Sequence, residues 1–154
     1  MIDPIRLEFE VACPVEHAFA TWTERISIWW PASHTVSAVA GRQVRFEPRV
    51  GGRTFERTPA GDEFEWGEVT AWEPPERLGY LWHLRADPAD ATEVDIRFVP
   101  IDGARTRVEI EHRGWERLGS VGTERRDADR AGWAGLLPHF ITIANGSPMS
   151  TKGS

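Results

Sequence analysis

The sequence predicts an α+β domain in which a curved antiparallel sheet of seven strands wraps a long C-terminal helix, with two short helices after the first strand. Three observations carry that prediction. Period-two alternation marks the N-terminus and then recurs from Val44 to His112, cut at intervals by proline and glycine turn signals. Two short helical periodicities fall between the first strand and this run. An apolar stripe of helical period closes the chain.

Ile5, Leu7, Phe9 and Val11 alternate with Arg6, Glu8 and Glu10, a strand with one wet face. After Pro14, Val15, Ala18, Phe19 and Trp22 recur at helical intervals, a short helix entered through proline. Ile26 to Trp30 fits one more helical turn, stopped at Pro31 because the residue before proline avoids the helical region. Val44, Phe46 and Pro48 alternate with Arg45, Glu47 and Arg49, and the extended pattern resumes over Arg53–Arg57. Between them, Gly51 and Gly52 read as a hairpin corner where both residues take positive φ. A phosphate cradle is excluded because neither side reads as a helix N-terminus.

Pro59 and Gly61 turn the chain again, and Glu63–Trp72 reads as a strand in which Gly67 marks a bulge. Pro74 and Pro75 close it. Strands over Arg77–Arg85, Glu93–Val99 and Thr106–His112 follow, separated by turns at Asp87–Ala91 and at Asp102–Gly103. The last element is a helix from about Thr123 to Asn145, on which Trp133, Leu136, Leu137, Phe140, Ile141 and Ala144 form one buried stripe. Arg125, Arg126, Asp127, Asp129 and Arg130 decorate its early turns. Pro138 should bend it, and Asn145 with Gly146 should stop it. Residues 1–146 thus read as one domain and 147–154 as a flexible tail.

With 154 residues, 40% hydrophobic and 27% charged, the chain has the proportions of one globular core. No stretch nears the ~20 apolar residues of a membrane span, and Met1–Phe9 lacks the basic-then-apolar order of a signal peptide. A cytoplasmic protein is expected. The net charge of −6 disfavours nucleic acid and anionic membrane as partners. Cys13 stands alone, so no internal disulfide and no thiolate zinc site can form, and it reads as a small apolar filler. His17, His34, His83, His112 and His139 show no metal-ligating spacing, and there is no Gly-x-Ser-x-Gly elbow. Neither a metal nor a cofactor is expected. Glu56, Glu63, Glu65 and Glu68 suit a solvated sheet face, although Glu56 and Glu65, set together across a hairpin inside an apolar cavity, would make an acid/base pair.

Three segments, "PRVGGRTFE", "VTAWEPPERLGYLW" and "GWAGLLPHF", in this order of elements, resemble the START-like (SRPBCC) superfamily. Within it the chain most resembles the family named after the activator of the heat-shock protein 90 ATPase, over Ile5 to Ala144. The resemblance implies the helix-grip fold of the birch pollen allergen: a sheet gripping the C-terminal helix around an apolar cavity, usually without a cofactor. The chaperone activator carries a separate N-terminal domain for which this chain has no room, so chaperone activation is not expected.

Against that fold, the eight tryptophans become informative. Trp133 starts the helix stripe and faces the sheet, Trp66 and Trp82 sit mid-strand, Trp29 and Trp30 lie where one cavity mouth would be capped, and Trp115 follows the last strand. Trp72, before the proline pair, reads as structural. The expected ligand contacts are Trp29, Trp30, Phe55, Trp66, Trp82, His112, Trp115, Trp133 and Phe140, around a hydrophobic small molecule. No catalytic residue is assigned. Three functions fit: a binding protein, acting as monomer or homodimer; a cyclase- or hydrolase-type enzyme using a cavity glutamate or histidine; and a protein-interaction module related to chaperone activators.

Overall fold

The computed structural model describes residues 2–84 and 87–146. The expected tail, residues 147–154, lies outside the described residues. Strand β1 is Ile5–Val11, followed by helices α1 (Val15–Thr23) and α2 (Ile26–Trp29) and a 3-10 turn at Ala32–His34. Six strands come next: β2 (Gln43–Phe46), β3 (Arg53–Arg57), β4 (Glu63–Glu73), β5 (Arg77–Trp82), β6 (Thr92–Asp102) and β7 (Arg105–Arg113). Helix α3 spans Gly122–Asn145 and runs through Pro138 without interruption. The seven strands form one antiparallel sheet in the order β1-β7-β6-β5-β4-β3-β2.

Period-two patterning decides which face of that sheet each side chain joins. On β7, Thr106, Val108, Ile110 and His112 are buried while the intervening residues stay at least partly exposed. On β6, Thr92, Val94, Ile96 and Phe98 do the same. The concave face so formed receives α3, whose Trp133, Leu136, Leu137, Phe140 and Ala144 are buried. Helix α1 seals one end: Phe19 packs edge-on against Trp72 and Phe98 with ring centroids 5.3 and 5.4 Å apart, and Trp22 meets Phe140 at 4.7 Å. The opposite face is polar, with Arg77 paired to Asp95 and Arg113 to Glu93.

Two expectations about glycine are sharpened. The β2–β3 link is a hairpin corner, but only Gly51 takes positive φ, at 86°. Gly52 is required by space: a Cβ there would lie 2.8 Å from the Cβ of Glu47 and 2.9 Å from the Arg49 carbonyl. At Gly67 the expected bulge is present, since β3 and β4 pair Thr54 with Gly67 and Phe55 with Glu65, leaving Trp66 as the extra residue. A Cβ on Gly67 would sit 1.7 Å from the Leu81 carbonyl oxygen, so the β4–β5 contact itself demands glycine.

Strand ends differ from the sequence expectation. Strand β2 stops at Phe46 rather than extending to Pro48, because the corner begins there and Glu47 spends its backbone N–H and side chain closing it onto Arg53. Strand β5 stops at Trp82; Arg85, expected within it, lies outside the described residues.

Candidate functional site

A cavity of about 400 Å³ lies between α3 and the ends of β5, β6 and β7. Four indoles wall it: Trp30 from the segment after α2, Trp82 from the end of β5, Trp115 just beyond β7, and Trp133 from α3. Trp30 is held by its Nε1–H, which donates to the His34 carbonyl at 2.9 Å, and its ring lies 5.8 Å from that of Trp82. Trp115 donates to the His112 carbonyl at 2.9 Å. Because each indole N–H that is buried here has an acceptor, the apolar ring surfaces are left for the cavity.

His112 sits at the base of the cavity and links helix to sheet. Trp133 Nε1–H donates to His112 Nδ1 at 3.0 Å, which makes Nδ1 the acceptor and assigns the imidazole proton to Nε2. That Nε2–H then donates to Thr92 Oγ1 at 2.7 Å, and the Thr92 hydroxyl donates to the Trp82 carbonyl at 3.4 Å. Burial pushes the His112 pKa down to about 3. The ring is therefore a neutral fixture whose two nitrogens are both committed, and it orients Trp133 instead of moving protons.

The carboxylates are placed differently from the acid/base pair considered in the sequence. Glu56 is opposite Phe64, and Glu65 is opposite Phe55, so alternation puts the two glutamates on opposite faces of the sheet. Glu56 is fully buried away from the cavity lining, accepting hydrogen bonds from Val36 N (2.6 Å), Ser37 N (3.0 Å), Ser37 Oγ (2.7 Å) and Trp66 Nε1 (2.8 Å). Burial alone would raise its pKa, but these donors outweigh it and hold the carboxyl below the usual range. Glu56 thus pins the segment after the Ala32–His34 turn, which forms one lip of the cavity. Glu65 is half-exposed, 3.3 Å from Nε2 of His83, and His83 lines the cavity from just past β5.

Of the nine expected contacts, the structure brings Trp30, Trp82, His112, Trp115 and Trp133 together around the cavity. Trp29, Trp66 and Phe140 belong to the packing behind it: Trp29 meets Phe140 at 5.2 Å, and Trp66 stacks near Trp30 at 5.1 Å while donating to Glu56. Phe55 faces away. Alternation sets it on the opposite side of β3 from Glu56, under the guanidinium of Arg53 at 4.2 Å. Cys13 is buried and its thiol is pushed up to about 11 by that burial, so it stays protonated. Among the described residues no group of three or more metal-ligating side chains occurs, and no helix is long and apolar enough to cross a membrane.

Several cavity residues were not among the expected contacts, Asp129 on α3 being the one that adds a half-buried carboxyl. Asp129 is four residues before Trp133, so it shares the α3 face that enters the cavity, and the same spacing that defined the stripe could have found it. Burial raises its carboxyl to about 6, against a lowering influence from Arg125 one turn earlier.

This architecture, a curved antiparallel sheet around a C-terminal helix with a cavity between them, defines a START-like, SRPBCC-type helix-grip protein. The model of one family, Activator of Hsp90 ATPase homolog 1-like protein, matches residues 12–141, and the chain belongs to that family. No curated protein matches it. Among solved structures, it is 32% identical to an anthrahydroquino-gamma-pyrone synthase, Txn09, covering 92% of this chain and 97% of that one with a TM-score of 0.61. The self-sacrificing resistance protein CalC from Micromonospora echinospora is 24% identical over 99% of this chain and 97% of its own, with a TM-score of 0.66. Protein MLL2253 from Mesorhizobium loti is 21% identical over 91% and 95%, with a TM-score of 0.65. The last two likenesses bear on the fold alone.

Proposed function

We propose that this protein binds an apolar or aromatic small molecule in the cavity between sheet and α3. The observation that carries the reading is the wall itself: indoles from four separate parts of the chain converge on a space of about 400 Å³, within the range of small-molecule sites. Aromatic surface supplies the affinity, and the polar groups gathered with it, His83, Thr92 and Asp129, set orientation. On this reading the protein acts in the cytoplasm, as a monomer or homodimer without metal or cofactor, and its net charge of −6 supports the exclusion of nucleic acid and anionic membrane as partners.

Native mass spectrometry of the purified protein should show a retained organic ligand, and 2-naphthol should quench tryptophan emission saturably. Leu136→Trp, which fills the cavity from α3, should abolish both signals in a protein that still folds. Saturable quenching that survives this filling would sink the reading.

A second reading, an enzyme of the cyclase or synthase type, is favoured by the similarity to the pyrone synthase together with an ionisable carboxyl inside an aromatic cavity.

A further inference from the structure

We propose that Asp129 is the proton-accepting group of this cavity, placed to take an acidic hydroxyl or carbon-bound proton from an aromatic molecule lying against Trp82 and Trp133. The inference rests on the small-molecule reading of the cavity and names the chemical class of its substrate: an aromatic compound carrying a weakly acidic O–H or C–H. Proton transfer needs a basic atom that faces the ligand and is not already engaged.

Among the described carboxylates that line the cavity, Asp129 is the one that is half-buried. His112 of β7 has both nitrogens committed, Nδ1 to Trp133 and Nε2 to Thr92. His83, just past β5, directs Nε2 to Glu65 at 3.3 Å. His34, in the 3-10 turn, has Nδ1 3.0 Å from Ser33 Oγ. Asp90 is exposed, in the 3-10 turn Pro88–Asp90. Arg125 on α3 is a cation and cannot accept. Asp129 is half-buried, lines the cavity one helical turn before Trp133, and accepts no hydrogen bond from any described residue.

The surroundings suit the task. Burial weakens hydration of the carboxylate and raises its basicity, while Arg125 keeps a usable fraction ionised at neutral pH, and a base poised near the working pH transfers protons efficiently. In the step, the ligand's O–H or C–H bond breaks, its electron pair stays on the ligand as a phenolate or enolate, and the proton bonds to a carboxyl oxygen of Asp129. Return of that proton to another atom of the same ligand completes an isomerisation or ring closure with no further reactant.

The test uses two probes with the whole protein. Binding is read by quenching with 2-naphthol, and proton abstraction by ring opening of 5-nitrobenzisoxazole, in which loss of the carbon-bound proton forms a nitrile as the N–O bond breaks and a coloured phenolate leaves. The wild type should accelerate ring opening above buffer, with a rate that rises with pH through about 6. Asp129→Asn, shown folded by its thermal melt, should lose on the order of a hundredfold in rate. Arg125→Ala, which removes the cation that lowers the Asp129 pKa, should move the midpoint of the rate profile to higher pH, a change that a purely structural role would not produce. With quenching in the wild type intact, an unchanged rate in Asp129→Asn, or no acceleration by the wild type, overturns the assignment of Asp129 and leaves the binding reading standing. Absence of saturable quenching in the wild type overturns the binding reading and the inference with it.

Discussion

Two buried carboxyls show how neighbours set a residue's use. Glu56 has four donors around it and no cation, so it stays charged inside the protein as a structural anchor. Its folded pKa is lowered, so its contribution is present above the unfolded value of roughly 4.3 and is lost as pH falls through the folded value. Glu56→Gln should lower stability at pH 7 by about 1–3 kcal/mol in urea denaturation and should flatten the loss of stability below roughly pH 4.3. Asp129 is the opposite case, with a raised pKa: the folded state binds the extra proton between the unfolded value of roughly 3.9 and about 6, and ionisation above that costs stability. Asp129→Asn should therefore be more stable than the wild type at pH 8, by about 1–2 kcal/mol, with a higher melting temperature, and should nearly equal it at pH 3.5. A lower melting temperature at pH 8 would contradict this burial of the charge.

At the scale of elements, the β4–β5 contact at Gly67 is the tightest glycine-dependent approach in the fold. Gly67→Ala puts a methyl group into the Leu81 carbonyl, so it should cost more than about 3 kcal/mol or prevent folding, whereas Gly51→Ala, strained only by its positive φ, should cost about 1 kcal/mol. Thermal melts of the pair check the ranking. The same elements show what the sequence made legible. The succession of strands along the chain followed from periodicity and turn residues because alternation is local, and the Trp133 stripe gave the buried face of α3 for the same reason. Phe55 stands away from the cavity lining because alternation along β3 sets it on the face opposite Glu56, a phase that the sequence alone did not fix. Asp129 was passed over because its neighbours Arg125, Arg126, Asp127 and Arg130 make the early helix look uniformly solvated. The bond from Trp133 to His112 could not be read at all, since it joins residues from elements whose approach only the folded chain defines.

For the molecule as a whole, that bond ties the helix to the sheet at the floor of the cavity. Trp133→Phe keeps most of the ring but leaves Nδ1 of a buried histidine without its donor, which should cost about 1–3 kcal/mol. Because His112 is neutral when folded and titrates near 6.5 when unfolded, stability in the wild type should decline as pH falls from roughly 6.5 toward 3, and His112→Gln should remove that part of the slope. Denaturant midpoints measured across this range give the comparison. The aromatic packing has one more consequence. Trp22, Trp29, Trp30 and Trp66 follow one another at centroid separations of 4.9, 5.4 and 5.1 Å, and Trp82 adjoins both Trp30 and Trp66. Rings this close share excitation, so light absorbed deep in the core migrates to whichever indole offers the fastest decay. A molecule touching Trp82 alone would drain emission from tryptophans it never meets, and the far interior would report on the cavity as an antenna does on its trap.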